Sequence, residues 1–529
     1  MVYDYIEFME LHAISDLSAF LLVSQIIQIG YIKFFMERTL EFLKKWKEPV
    51  FQALISIVLL ALMFSCGMIP LKYMGIAVLI ALLLLALTFL AVRSRNTAVR
   101  SVGIILAVLT CLVCVIGALL IQHIMNKLNQ MAGAETQIEN IVVMVNDTDR
   151  ALAIADTPGY SFGVFEGADS ELIDQMIDDV QQLNGDGEIQ KQVFDSPLTL
   201  AEALLDGDVD AAICNKAYLS LLEDSVPDYS KQAKIIYEKE YETDPDRWER
   251  MSALDEDQTG TGESMDETSK NASLTDHSFN VLISGIDVDG PITATSRSDV
   301  NIIMTVNPMK HRILLTSTPR DYYVHIPYVS GEELDKLTHA GIYGVKTSMK
   351  TLENLYGVGI SDYIRINFDS LIQLVDVLGG VDVKSEVEFS SGSYHFVKGI
   401  NHLNGDQALV FSRVRHAFAD GDIQRGKNQM NVLTAILNKL QSRALLKNPA
   451  DVLDVISQSM QTSFSTSQIT KTIAWQLENR HRWEIKRQSV TGSSDSQETF
   501  SMPGTELSVI WPDEDSVREA AGKIRDELK

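Results

Sequence analysis

The sequence predicts an α/β protein in which three transmembrane helices precede a smaller α/β accessory domain and a larger α/β domain. Three observations carry this reading. Residues 50–69, 73–92 and 102–121 are apolar runs without a charged residue, and each is about 20 residues long, enough to cross a bilayer as helix. Residues 137–242 alternate strand and helix patterns, and residues 278–529 do so again. Between them, residues 243–277 are rich in Asp, Glu, Ser, Thr and Gly, a composition too poor in apolar surface to order itself, so it reads as a flexible acidic linker.

The chain has 529 residues, 46% of them hydrophobic, which leaves room for several domains as well as a membrane part. Three successive apolar runs are not a cleavable signal peptide. Lys44, Lys45 and Lys47 precede the first run, and Arg93, Arg95 and Arg100 separate the second from the third. The positive-inside rule holds both clusters in the cytoplasm and places the chain beyond about residue 124 outside it. Residues 1–49 are then a cytoplasmic segment and 50–122 the membrane anchor. Residues 17–36 are apolar but interrupted by Gln25, Gln28 and Lys33, and fit either a surface amphipathic helix or a further span.

A formal net charge of −26 argues against nucleic acid as a partner and repels anions at long range. Any phosphate site must therefore be a local basic cluster. Of the four cysteines, Cys66, Cys111 and Cys114 fall in the apolar runs and Cys214 stands alone outside them, so no external disulfide framework can form.

Taken in order, residues 122–137 read as a helical extension out of the membrane. Strands follow at 160–165, 211–215 and 235–241, with helices at 170–183 and 198–205. Residues 200–219 bear a faint likeness to ligand-binding modules, but a spacer or interaction domain is the plainer reading, since no phosphate loop, metal spacing or nucleophile signature is present.

The larger domain is organised around residues 296–321. Two alternating apolar runs, 300–306 and 312–318, flank Asn-Pro-Met-Lys-His, which predicts a β-hairpin. Its open end carries Arg297, Asp299, Arg320 and Asp321. Upstream, residues 280–284 form a short apolar strand, followed by Gly285 and Asp287. In an antiparallel meander of the three strands, Asp287, Asp299 and Arg320 converge at one sheet edge. Carboxylates are hard ligands for Mg²⁺ or Mn²⁺, and the guanidinium fork matches phosphate oxygens. The plain alternative is a set of surface ion pairs.

Downstream come a helix at 345–355, a strand at 362–368, an apolar helix at 370–378 closed by Gly379 and Gly380, and a strand at 381–383. Residues 404–429 form the second charged block. Residues 406–413 are a short helix or strand, Arg413 and Arg415 follow, and a helix at 423–445 begins near Asp422, with Arg425 and Gln429 on one face. Exposed N–H groups at that helix start, flanked by three arginines, make an anion site. Its apolar stripe, Met430, Leu433, Ile436, Leu437 and Leu440, is core, with a wall of a lipid-tail groove as a lesser role. A polar stretch at 492–498, a strand at 507–511 and a helix at 513–528 complete the chain.

The blocks GID, SRSD, STPRD, KLTHA, INF, LVDVLGGVDV, HLNGDQALVFSRVR and D-x-x-R-x-x-x-Q, in this order across most of residues 279–529, resemble the LytR-CpsA-Psr (LCP) family. The likeness is nearest to its capsule-associated CpsA-like members, whose three spans and middle domain are similar too. In those relatives the middle domain is likened to a polymerase processivity-factor fold, which does not imply DNA binding. The resemblance implies an α-β-α LCP domain that holds a polyprenyl (pyro)phosphate lipid with Mg²⁺ on the head group. It further implies transfer of a glycopolymer, such as a capsular polysaccharide or a teichoic-acid-like chain, from undecaprenyl pyrophosphate to peptidoglycan. By motif, Asp287 and Asp299 are the metal-linked carboxylates. Arg297, Arg320, Arg413, Arg415, Arg425 and Gln429 bind the pyrophosphate lipid, and Asp321 and Asp422 orient arginines. Two positions depart from the pattern: Thr318 stands where an aliphatic residue is common, and the basic residue usual after the first Asp is missing, with Asp289 nearby instead.

The residues agree with such chemistry. Phosphoryl transfer needs charge neutralised on the phosphate oxygens and an aligned acceptor hydroxyl. A metal on Asp287 and Asp299, with Arg320, Arg413 and Arg415, supplies the first, and one carboxylate takes the acceptor proton. Ser317 and Thr318 lack a histidine at a spacing that would activate them. No ATP is required, because the lipid pyrophosphate is itself activated. The rival readings are a membrane-bound regulator or attenuator of capsule biosynthesis and a polyprenyl pyrophosphate phosphatase. Capsule assembly proteins are further candidate partners.

Overall fold

The computed structural model describes residues 46–132, 137–165, 167–185, 189–243, 274–286, 292, 294–415, 417–418, 421–441 and 449–529. The segment 17–36, most of the acidic linker and Asp287 lie outside them. The chain divides into two compact units, Met1–His123 and Ile124–Lys529.

Three helices, α1 (Lys47–Ser65), α2 (Leu71–Arg93) and α3 (Thr97–Met131), are long and apolar enough to cross a membrane. They match the three apolar runs, and their large side chains, Leu79, Leu83, Val108 and Leu112 among them, are exposed as a lipid-facing surface requires. Helix α3 stops at Met131, and Gln137, expected at the end of a helical extension, instead opens a strand.

That strand, β1 (Gln137–Asn146), is the longest buried strand of a five-stranded sheet. The sequence IVVMV is apolar on both faces, which masks the period-2 signal of a half-buried strand. The other elements are β2 (Ser161–Val164), α4 (Ser170–Leu183), β3 (Gln190–Val193), α5 (Pro197–Asp206), β4 (Ala211–Asn215), α6 (Leu219–Ser225), the single turn α7 (Tyr229–Gln232) and β5 (Ala233–Thr243). The sheet order is β3-β2-β4-β1-β5. Ile141, Val143 and Val145 pack under Ile173, Met176 and Val180 of α4. On the other face Val142 and Met144 join α5 and α6 in a core that continues into Ile326, Ala340, Tyr343 and Met502. The accessory sheet thus shares apolar core with the rest of the unit.

The second sheet has six strands in the order β16-β11-β6-β7-β8-β17. Strands β6 (Phe279–Ile286), β7 (Ser298–Asn307) and β8 (Arg312–Thr318) form the expected antiparallel meander. A two-stranded ribbon, β9 (Tyr323–Val324) and β10 (Asp335–Lys336), leads into the helix α8 (Val345–Tyr356), and β11 (Asp362–Asn367) pairs in parallel with β6. Beyond it lie α9 (Phe368–Val377), β12 (Val381–Ser385), β13 (Phe389–Ser391), β14 (Tyr394–Phe396), β15 (Gly399–Leu403), α10 (Gly405–Arg413), α11 (Gly421–Leu440), α12 (Pro449–Ser459) and β16 (Met460–Thr462). The last elements are α13 (Thr466–Asn479), β17 (Glu484–Ser489), β18 (Gly492–Thr499), β19 (Met502–Pro512) and α14 (Glu514–Leu528).

Alternate residues of the meander feed two cores. Leu282, Ile303 and Leu314 pack with α8 and α14. Val281, Ile283, Ile302 and Leu315 pack with Met430 of α11 and Phe464. This is an α-β-α sandwich. Residues 406–413, which the sequence leaves open between helix and strand, belong to the helix Gly405–Arg413, because Asn404 accepts from the Gln407 N–H and Gln407 reaches back to the Asn404 N–H. Residues 492–498, read as a polar stretch, are strand β18, paired along its length with β19.

The two sheets are tied at Glu139, a carboxylate only 2% exposed. It accepts from Gln137 Nε2 at 2.6 Å, Asn215 Nδ2 at 2.7 Å and Thr295 Oγ1 at 2.6 Å, the last just before Arg297. Glu139→Ala leaves these donors without that acceptor, and an unpaired buried polar group costs roughly 1–3 kcal/mol. The thermal midpoint is expected to fall, with Glu139→Gln falling less because its amide oxygen still accepts.

Candidate functional site

The open end of the β7–β8 hairpin builds the centre of the site. Asn301 pairs with Thr318, and the same register carried outward sets Asp299 opposite Arg320. On its other side β7 bulges: Gly285 faces Val300 while Ile286 faces Ser298, so Asp299 is the residue without a partner in β6. A bulge bends its strand and re-aims the extra side chain. Gly285 permits the close approach, because a Cβ there would lie 2.6 Å from Val300 Cγ2.

Arg320 Nη1 donates to Asp299 Oδ1 at 2.8 Å, and Thr338 Oγ1 donates to the same oxygen at 3.1 Å. Arg320 Nε lies 3.7 Å from Asp321 Oδ1 and is buried without a hydrogen-bond partner among the described residues. Asp321 makes its shorter contact with Lys336 Nζ, at 2.5 Å. Arg297 donates to Asp224 of α6, a helix of the accessory domain. Arg425 donates to Asp422 across the first turn of α11. Helix α11 packs closely on β8 because Gly426 has no side chain: a Cβ there would come within 2.6 Å of Ser317 Oγ. The Arg413 guanidinium lies over the Phe368 ring, 4.6 Å from its centroid.

These groups line a cavity of about 240 Å³: Arg297, Asp299, Arg320, Arg413, Arg415, Arg425 and Gln429, joined by Asp224 and Phe368. Five arginines face two aspartates, in a chain whose net charge is −26. Burial acts to raise the Asp299 carboxyl, but Arg320, Arg297 and Arg425 outweigh it and hold the group below the usual carboxylate range. Asp321 is likewise held low, burial being overcome by Lys336 and then Arg320. For Arg320 the carboxylates Asp299 and Asp321 outweigh burial and raise it. Arg425 goes the other way. Burial and the neighbouring Arg320 guanidinium, with a further push from Arg415, bring it down to about 10 despite Asp299 and Asp321. The site is short of negative charge, and an anion seated among these guanidinium groups would relieve that shortage.

Asp287 lies outside the described residues; β6 ends at Ile286, one residue before it. Asp422 and Asp321 each touch a cation but do not line this cavity. Among the described residues no group of three or more His, Cys, Asp or Glu side chains could hold a metal. Asp299 fits Mg²⁺ in another way: the bonds from Arg320 and Thr338 both fall on Oδ1, and Mg²⁺ commonly takes one or two carboxylates together with phosphate oxygens.

Four participants escaped the sequence reading. Thr338 and Lys336 stand in the KLTHA block and Phe368 in INF, where they carried no assigned role. Asp224, in the acidic segment LSLLEDS, offered no signal, since only the fold brings it to Arg297.

A family model described as "LytR_cpsA_psr family" matches residues 249–514. Among curated proteins, the chain is 34% identical over 198 residues to a polyisoprenyl-teichoic acid–peptidoglycan teichoic acid transferase, TagU, of Oceanobacillus iheyensis, covering 36% of this chain and 60% of that one. It is 37% identical over 190 residues to the protein of the same name in Bacillus anthracis, covering 36% and 61%. The match thus spans about 60% of the length of these relatives. A crystal structure of B. subtilis TagU aligns at 27% identity over 48% of this chain and 97% of that one, with a TM-score of 0.38.

Proposed function

The chain belongs to the LytR_cpsA_psr family, and from that premise we propose that it is a membrane-anchored phosphotransferase. It moves a glycopolymer from an undecaprenyl pyrophosphate carrier to peptidoglycan on the outer side of the membrane. The observation that carries the proposal is the cavity in which five arginines surround Asp299. A diphosphate offers the charge such a cavity lacks, and guanidinium forks hold its oxygens in two-point contacts. The relatives named as polyisoprenyl-teichoic acid–peptidoglycan transferases support the reading of donor and acceptor class.

In this reading Arg320 and Arg425, fixed by Asp299 and Asp422, hold the phosphate being transferred. Arg413 and Arg415 carry exposed side chains and cover the incoming head group. The acceptor hydroxyl oxygen forms a bond to the phosphorus that bears the glycan. The bridging P–O bond breaks and the polyprenyl phosphate leaves. Fixed positive charge aimed at the phosphate oxygens stabilises this transition state without a covalent enzyme step. Mg²⁺, held by Asp299 and Asp287, would supply further neutralisation of the phosphate charge when bound. The basic clusters beside α1 and between α2 and α3 support an extracytoplasmic site.

The test is to incubate the full chain, in detergent, with lipid-linked glycan, Mg²⁺ and peptidoglycan. Polymer on the wall is the expected result. Release of free glycan phosphate would make the protein a hydrolase, and unaltered bound lipid would make it a sensor.

A further inference from the structure

A second cavity, of about 270 Å³, adjoins the first, and three residues line both: Asp224, Arg320 and Arg415. Its remaining wall is unlike that of the first. Asp321 and Lys336 add one carboxylate and one ammonium, His339 an imidazole whose Nδ1 lies 2.6 Å from Asp335 Oδ1, and Leu221, Leu507 and Ser508 aliphatic surface and a hydroxyl. Three arginine and lysine side chains here meet two carboxylates beside that imidazole, against five and two next door. So balanced a wall, with donors, acceptors and apolar patches interleaved, suits an uncharged hydroxyl- and amide-bearing molecule better than a polyanion. Two separate elements build it: Leu221 and Asp224 come from helix α6 of the accessory domain, Leu507 and Ser508 from β19 of the two-stranded β18–β19 ribbon.

We propose that this second cavity is the subsite for the acceptor saccharide, and that helix α6 of the accessory domain forms one of its walls through Leu221 and Asp224. The inference rests on the transferase reading and adds where the acceptor sits. A sugar held there abuts a diphosphate in the first cavity across Arg320 and Arg415. Its hydroxyl oxygen bonds to the glycan-bearing phosphorus, the bond to the lipid-side phosphate breaks, and polyprenyl phosphate departs. The hydroxyl proton passes to Asp224, the carboxylate lining both cavities, and from it to water. A buried Arg320 Nε without a hydrogen-bond partner among the described residues supplies an unused donor at the junction. Asp224 is also a positioning residue, since it holds Arg297.

Ser508 gives the cleanest test. It is exposed on β19, and its cross-strand partner is Ser496, so Ser508→Trp fills the second cavity without entering a core. With the full chain in detergent, binding of polyprenyl pyrophosphate and of a soluble peptidoglycan oligosaccharide is measured separately, alongside transfer and a thermal melt. The variant is expected to bind the pyrophosphate as the wild type does, while the acceptor KM rises roughly tenfold or more, the signature of a lost binding contact. Loss of pyrophosphate binding in parallel with acceptor binding, in a variant that still melts cooperatively, overturns the proposal in favour of one continuous donor site. An unchanged acceptor KM also overturns it. If the wild type binds the oligosaccharide and Ser508→Trp does not, yet no transfer occurs, the subsite stands and the transferase reading falls. Absence of oligosaccharide binding in the wild type sinks the subsite.

Discussion

Replacing Arg320 by Met is expected to lower glycopolymer transfer by about 10³-fold, the scale of removing a preorganised charge from a developing phosphate or oxyanion. Stability should fall as well. Arg320 and Asp299 are each 12% exposed and paired at 2.8 Å, and removing one partner of a buried pair costs about 3–5 kcal/mol, because the other charge remains in a poorly solvated place. Asp299 keeps Thr338 and the more distant Arg297 and Arg425, which places the cost toward the lower end. Arg320→Lys separates the two effects. Its ammonium restores a charge beside Asp299, so the thermal midpoint should recover most of the loss. The planar fork is not restored, so transfer should stay low. Thermal melts and initial rates on both variants check this. Recovery of transfer in the lysine variant would mean that Arg320 serves only as a structural counter-ion.

Much of this centre was legible because it is local. The hairpin shows in the alternation of residues 300–306 and 312–318, and a hairpin necessarily brings its open ends together, which sets Asp299 beside Arg320. Arg413, Arg415, Arg425 and Gln429 stood out as a basic cluster in an acidic chain. Their convergence on the hairpin end, with more than ninety residues between, could be expected only from the family resemblance. What the pattern concealed has physical causes. The bulge at Asp299 shifts a register, and a one-residue shift leaves no mark on the composition of a strand. Strand β17 reads EIKRQS and β18 reads GSSDSQET. Each lies at a sheet edge or in a two-stranded ribbon, where polar residues on both faces are normal and remove the alternation that identifies a strand. Strand β1 fails for the opposite reason, being apolar on both faces. Asp224 on α6 and Arg297 just before β7 are brought together by the tertiary fold, a contact that neither segment encodes alone.

Asp299→Asn should produce the opposite pair of effects on binding and turnover, and so tests whether this carboxylate serves the metal or only the arginines. The amide is nearly isosteric and its oxygen can still accept from Arg320 and Thr338, but a negative charge is lost from among three guanidinium groups. Without a divalent ion, an anionic pyrophosphate should therefore bind the variant at least as tightly as it binds the wild type. With Mg²⁺ present, the wild type should gain affinity and turnover that the variant does not, and transfer should fall by about 100-fold or more, the upper end of what loss of a supporting group around a metal costs. The acid limb of the stability curve gives an independent reading. The folded-state pKa of Asp299 is depressed, so its contribution to stability is present above the unfolded carboxylate value of about 3.9. That contribution disappears as pH falls through the lower folded value. The stability difference between wild type and Asp299→Asn should hold from neutral pH down to about 4 and shrink below it. A difference that persists unchanged into stronger acid would show that the Asp299 charge is not what the surrounding arginines stabilise.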